Sequence, residues 1–215
     1  MKRKSALILV AHADDETLGA GGYIPQLVGR DCNVAVVVVS NGVYTTQGVR
    51  HDNRQSVHEA CQVLGVGEIH FLDYEDQKLD KFAVADIADS VSRLGIDPDL
   101  IISHVDTDLN QDHRIVADVA KVIGRPRHKP VTILGCEVPG TSAWNASPFQ
   151  ANYYVDIEGT LELKLKAFSQ YRNELREFPH PWSIKGLTVL AELRGMESGF
   201  LCAEAYHVVR MFGPQ

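Results

Sequence analysis

The amino-acid sequence predicts a three-layer α/β sandwich around a mainly parallel central sheet. Three observations carry that expectation. Short apolar runs alternate with longer amphipathic segments as far as Cys136. One run, "VAVVVV" at 34–39, is almost continuous in β-branched residues, as suits a strand covered on both faces. Polar residues follow each run, as expected where parallel strands end at one functional edge.

Residues 5–11 read as a buried strand, and 18–29 as a helix whose Ile24, Leu27 and Val28 can face a core. Residues 33–40 form the second strand. "RHDNRQSVHEACQVLGVG" (50–67) reads as a helix ending at glycine, and 68–73 as the third strand. A helix over 82–94, a strand over 99–103, a helix over 113–123 and a strand over 131–136 follow. This alternation fits right-handed crossovers. After Glu137 the texture changes. "VPGTSAWNASPF" is rich in turn formers and reads as a loop. "NYYVDI" is a strand candidate, 161–175 a helix, "REFPHPWS" a loop and 184–195 a helix; 203–211 fits either helix or strand. No internal repeat interrupts the chain. The expectation is one domain over 1–215, with 137–215 completing its pocket.

With 215 residues, 45% hydrophobic and 23% charged, the chain can bury a full core without disulfides or a structural metal. A net charge of −7 argues against a nucleic-acid partner, which calls for a basic face. Cys32, Cys61, Cys136 and Cys202 form no CxxC pair, so free thiols in a reducing compartment are expected. The basic start "MKRK" leads into an apolar stretch that soon meets His12 and three acids. That pattern fits neither a signal peptide nor a membrane span, and the expected location is the cytoplasm.

The chemistry is concentrated in "LILVAHADDETLGAGG" (7–22), where His12, Asp14, Asp15 and Glu16 follow the first strand. Carboxylates this close repel one another, and a bound cation relieves the repulsion. His12 and Asp15 offer the nitrogen and oxygen donors that suit zinc, and His113 in "LNQDHRIV" (109–116) is a third candidate ligand. The same donors also hold other divalent transition metals, such as iron or manganese. Asp14 can then take a proton from water that zinc acidifies to a pKa of roughly 7. Such an arrangement is hydrolytic. Glu16 suits either orienting the following helix or joining the site. Asp112 is placed to fix a ring orientation.

Other features are weaker. The glycines at 19, 21 and 22 have the wrong spacing for a dinucleotide loop and suit close packing instead. His51, His58 and His128 read as surface residues, and His70 as structural. His104 and His180 lie in loops expected near the site and are candidate substrate contacts. Arg54, taken alone, reads as a solvated charge. Trp144, Phe149 and Trp182 suit either packing or the apolar face of a pyranose.

"AHADDE" (11–16) resembles the A-H-P-D-D-E signature of the PIG-L or LmbE-like zinc deacetylases, and "QDH" (111–113) resembles their H-x-D-H motif. The similarity extends to Arg54 ahead of "VLGV" (63–66) and to "FLDYEDQKLD" (71–80). The resemblance implies a Rossmann-like fold and hydrolysis of N-acetyl groups, most often on N-acetylglucosamine-type sugars. It implies zinc on His12, Asp15 and His113, with Asp14 as general base and Asp112 supporting the site. Arg54 and Asp76 match positions that touch substrate in some relatives. Two positions depart from the pattern. Ala13 replaces proline, and Asn110 stands where the second motif begins with histidine. Asn110 can donate a hydrogen bond to an oxyanion but cannot supply a proton. His104 or His180 would then be the imidazole available from another loop.

The resulting expectation is a zinc-dependent amidohydrolase that removes acetyl from an N-acetylated amino sugar or sugar conjugate. The expected partner is that small molecule, with no nucleic acid and no membrane span; a homo-oligomer is left open. A metal-assisted hydratase on the same scaffold and a sugar-nucleotide-binding module using the glycine run are the alternatives.

Overall fold

β1 (Ser5–Val10) shows why the chain builds layers. In the computed structural model, which describes residues 3–213, every residue of this strand after Ser5 is buried. Successive side chains of a strand point to opposite faces. Ala6, Ile8 and Val10 accordingly join one core cluster, and Leu7 and Leu9 another. β2 (Asn33–Ser40) divides the same way, Val36 and Val38 on one face and Val37 and Val39 on the other. Each fully buried Val, Leu or Ile contributes roughly 1.5–3 kcal/mol, so both faces need a helical cover.

Helices α1 (Asp15–Ala20), α2 (Tyr23–Gly29), α3 (Arg54–Leu64), α6 (Leu161–Phe168) and α7 (Ile184–Ser198) put apolar residues into the first cluster. Helices α4 (Val84–Ser92) and α5 (Gln111–Ile123) supply Ile87, Val91, Val116 and Val119 to the second. The remaining strands are β3 (Val43–Thr46), β4 (Val49–Asp52), β5 (Glu68–Tyr74), β6 (Leu100–Ser103), β7 (Thr132–Cys136), β8 (Tyr153–Asp156) and β9 (Ala203–Arg210). The large sheet has the order β5-β2-β1-β6-β7-β9-β8. The pairs β1–β2, β1–β6, β2–β5 and β6–β7 are parallel, and β9 runs against both β7 and β8. The chain moves outward from β1 through β2 to β5, then returns to β6 on the other side of β1. The direction of winding therefore changes between β1 and β6, where open sheets of this kind place their ligands.

The expected strands lie close to where the sequence puts them, and the ambiguous 203–211 is strand β9. Several helices differ. The predicted helix 18–29 is two helices, α1 and α2. Its break has a tertiary cause: the N–H groups of Gly22 and Tyr23 donate to the buried Glu204 carboxylate at 2.7 and 2.8 Å. A side chain at Gly22 would also lie 2.7 Å from Ile157. Lys164 Nζ completes this network, donating to Glu204 Oε1 at 2.6 Å and to the Leu18 carbonyl at 2.8 Å.

The helix predicted from residue 50 starts at Arg54, because 50–52 belong to β4. β4 pairs with β3 as a hairpin whose turn residues Gln47 and Gly48 have φ of 50° and 77°, as a tight two-residue hairpin turn requires. Helix α6 ends at Phe168 rather than 175, and the chain then turns to bury Tyr171 fully. Helix α5 starts two residues before its predicted start, with Asn110 as N-cap. All four cysteines are buried free thiols. Among the described residues, no helix is long and apolar enough to cross a membrane.

Candidate active site

The turn after β1 takes an unusual backbone conformation. Asp14 has φ 114°, a sparsely populated region for a residue with a side chain. Glu16, fully buried, holds it there. Its Oε2 accepts the Asp14 N–H at 3.1 Å, and its Oε1 accepts Thr17 Oγ1–H at 2.6 Å and the Tyr171 hydroxyl. Burial raises the Glu16 carboxyl's pKa, while those donors oppose the rise. Of the two roles open to Glu16, the structure shows the orienting one.

Three side chains then converge from the segments that follow two neighbouring strands, β1 and β6. His12, Asp15 and His113 each offer one donor atom, all within 4.8 Å of one another. His12 Nδ1 lies 3.3 Å from His113 Nε2, and Asp15 Oδ2 lies 3.5 Å from the first and 3.3 Å from the second. The outer nitrogens of both rings face carboxylates. His12 Nε2 is 3.1 Å from Asp112 Oδ2, and His113 Nδ1 is 3.3 Å from Asp108 Oδ1. Those carboxylates are fixed in turn: Asp112 Oδ1 accepts the Leu79 N–H at 3.2 Å, and Asp108 accepts from Asn110 N, Thr141 Oγ1 and Ser142 Oγ.

Carboxylates of this kind place the ring proton on the outer nitrogen. The inner nitrogens then present lone pairs to each other and to a carboxylate oxygen. Three buried lone pairs facing one point repel unless a cation lies between them. This donor set of two imidazoles and one carboxylate fits a divalent transition metal and leaves positions for other ligands.

His104 lies beneath this cluster. Its side chain is fully buried, stacks on His113 at 3.9 Å between ring centroids, and accepts the Ala11 N–H on Nε2 at 2.9 Å. Burial and the neighbouring His113 push its pKa down to about 4, so the ring is a neutral spacer between the ends of β1 and β6.

The cluster forms the floor of a cavity of about 790 Å³, whose lining includes Asp14, Asp76 and Asn110. Asp14 is 5% exposed, and its carboxylate has no hydrogen-bond donor among the described residues. Burial first, then Asp15, Glu174 and Glu16, push its pKa well up. Asp76 Oδ2 is 3.9 Å from His12 Nε2. Asn110 Oδ1 accepts the Asp112 N–H at 2.9 Å, which leaves its amide nitrogen as the side chain's remaining donor.

Other residues singled out in the sequence lie elsewhere. Arg54 is exposed and bound to Asp52 outside the cavity lining. His180 is also outside the lining; its Nδ1 accepts the N–H of Trp182, which does line the cavity. Asp112, 1% exposed, acts on His12 rather than in the open space. Trp144 is exposed, and Phe149 packs with Val105 and Ala205.

Asp108, Gln77, Tyr44, Glu174 and Arg176 also belong to the site or its support but, Asp108 apart, do not stand out in the sequence. Asp108 had a readable signal, an acid two residues before the helix cap. Gln77 brings its terminal amide to 3.1 Å from His12 Nε2. Tyr44 belongs to the unforeseen hairpin, Glu174 to a segment read as helix up to 175, and Arg176 to the start of the stretch read as the loop "REFPHPWS".

Residues 7–123 match the PIG-L family, described as GlcNAc-PI de-N-acetylase. The chain is 31% identical over 150 residues to an uncharacterized deacetylase, YaiS, of Escherichia coli K12, covering 65% of this chain and 77% of that protein. It is 26% identical over 233 residues to the diacetylchitobiose deacetylase of Thermococcus kodakarensis, covering 96% and 83%. In structure it resembles GalB, the 4-carboxy-2-hydroxymuconate hydratase of Pseudomonas putida KT2440. The TM-score is 0.77 at 21% identity, over 99% of this chain and 98% of that one.

Proposed function

The chain belongs to the PIG-L family, and from that premise we propose that it is a zinc-dependent deacetylase of N-acetylated amino sugars or their conjugates. One observation carries the reading. The inner ring nitrogens of His12 and His113 and a carboxylate oxygen of Asp15 converge under a cavity of about 790 Å³, with Asp14 beside them in its wall. Deacetylase relatives support the reaction class.

His12, Asp15 and His113 would hold a divalent ion, which would supply the Lewis acidity that acidifies water and polarises a carbonyl. The chain's own residues do the rest. Asp112 and Asp108 keep the ring protons of His12 and His113 on the outer nitrogens. Asp14 takes a proton from the attacking water and returns it to the departing amine, so the proton balance closes. The Asn110 amide donates a hydrogen bond to the oxyanion that develops on the acetamide oxygen. Asp76 is a substrate contact on the cavity wall.

The test is acetate release from a panel of N-acetylated sugars by zinc-loaded protein. Asp14→Asn should retain its metal by elemental analysis and lose turnover by about 10²- to 10⁴-fold. An unchanged rate removes Asp14 as the base. No acetate from any sugar, with metal bound, ends the deacetylase reading. A second reading, metal-assisted hydration of an unsaturated acid, rests on the fold shared with GalB, which is named a hydratase.

A further inference from the structure

Glu174 is the least explained group in the cavity wall. It is 6% exposed and comes from the segment after α6, outside the matched 7–123. Its Oε1 accepts two hydrogen bonds, from the Tyr44 hydroxyl and from Asn53 Nδ2 at 2.9 Å. Its Oε2 has no such donor among the described residues. The nearest cation, Arg176 Nη2, is 3.7 Å away, beyond the roughly 2.7–2.9 Å of a charge-assisted hydrogen bond. Arg176 Nη1 instead donates to the backbone carbonyls of Asn173 and Leu175 at 2.6 and 3.3 Å. A partly desolvated carboxylate oxygen without a donor is costly, and a ligand that supplies one gains from the pairing.

We propose that Glu174 is a specificity-determining residue whose Oε2 accepts a hydrogen bond from a ring hydroxyl of the N-acetylated sugar. This rests on the amino-sugar reading of the cavity. Before hydrolysis such a sugar is neutral, and its donors are hydroxyls and one amide N–H. The amide belongs at Asp14 and the His12–Asp15–His113 cluster. Glu174 enters the wall from another segment, so a hydroxyl is the donor it meets.

The experiment measures binding, independently of turnover. N-acetylglucosamine and its 3-, 4- and 6-deoxy forms are titrated into zinc-loaded Asp14→Asn protein, with NMR detection. One deoxy sugar should bind about 10- to 100-fold more weakly than the parent. Adding Glu174→Gln should weaken the parent by a similar factor and erase the deoxy penalty. Adding Tyr44→Phe instead, which removes a donor to Oε1 and leaves Oε2 untouched, should preserve the penalty. The proposal is overturned if no sugar binds, if all three deoxy forms bind as the parent does, or if the penalty survives Glu174→Gln. It is also overturned if Tyr44→Phe erases the penalty, since Glu174 would then act only as a latch. Acetate release by the unaltered protein tests the deacetylase reading separately. Glu174-dependent binding without acetate release upholds this proposal and removes that one.

Discussion

Replacing Asp112 with asparagine tests the logic of the metal cluster without touching a ligand. Asp112 uses both oxygens: Oδ2 faces His12 Nε2 at 3.1 Å, and Oδ1 accepts the Leu79 N–H at 3.2 Å. Asparagine has nearly the same shape but only one accepting oxygen. If that oxygen stays on Leu79, the amide donor meets His12 Nε2 and drives the ring proton to Nδ1. That proton then points at Asp15 and His113, where the ion must bind. If the amide flips, two donors collide at Leu79. Either way one contact of a residue that is 1% exposed is lost. Loss of such a ring-orienting partner weakens metal affinity by ~10- to 100-fold, or about 1.4–2.8 kcal/mol. Competition with a chromophoric chelator measures the zinc affinity, and circular dichroism confirms that the variant is folded. A folded Asp112→Asn protein that binds zinc within about threefold of the unaltered chain would refute the tautomer argument.

Three further outcomes follow from packing and charge. Gly19→Ala places a methyl group 2.5 Å from Cys136 Sγ, and urea unfolding should show a loss of roughly 1–3 kcal/mol from overpacking; a neutral result would mean the helix–sheet contact is loose. Lys164→Met leaves the Glu204 carboxylate buried without its cation, a change that costs about 3–5 kcal/mol where nothing else compensates. Hydrogen bonds from Gly22, Tyr23 and Tyr206 remain, so the lower end is expected, and a loss below about 1 kcal/mol would show that the pair is dispensable. Asp99 carries a pH signature. Its partial burial tends to raise the carboxyl's pKa, but the Lys129 ammonium and the Ser5 N–H outweigh that and hold it below the ordinary value. The unfolded chain then binds more protons in acid. The Asp99 contribution is therefore present above about pH 4 and fades as the pH falls through the lower folded value. Chemical unfolding from pH 6 to 2 should show a shallower acid loss for Asp99→Asn, and identical slopes would dismiss the effect.

The sheet was legible because β1, β2, β6 and β7 are short, nearly unbroken apolar runs. The hairpin 43–52 was not, because Tyr44, Thr45, Arg50 and His51 are polar, Thr45 and Arg50 exposed and Tyr44 and His51 only half-buried, so the segment shows no apolar run. The break between α1 and α2 does have a local signal, Gly21 and Gly22 with Pro25 soon after, but its position is fixed by Glu204 from 182 positions away. The same distinction governs the site. His12 and Asp15 follow β1 directly and His113 lies in the first turn of α5, the helix after the neighbouring β6, so two compact motifs and the strand order bring them together. The opposite wall depends on contacts such as Tyr44 to Glu174, which are 130 positions apart. Periodicity carries no information about such pairs. His104 was found in the right place and given the wrong depth. A loop position after β6 suggests exposure, but stacking on His113 drives the ring under the floor.

The hydrogen bond between Tyr44 and Glu174 separates what the molecule does from what it admits. Neither residue shares a strand or helix with His12, Asp15 or His113, which ride on the ends of the sheet. Exchanging the hairpin for another of different length would reshape the entrance and leave the reacting groups in register, whereas the stretch 169–183 also carries the buried Tyr171, whose hydroxyl helps to fix Glu16 beneath Asp14. A lineage built on this plan can change what it admits by editing the hairpin, and chimeras made at its two ends should keep the metal affinity of the His12–Asp15–His113 cluster while changing what the cavity binds.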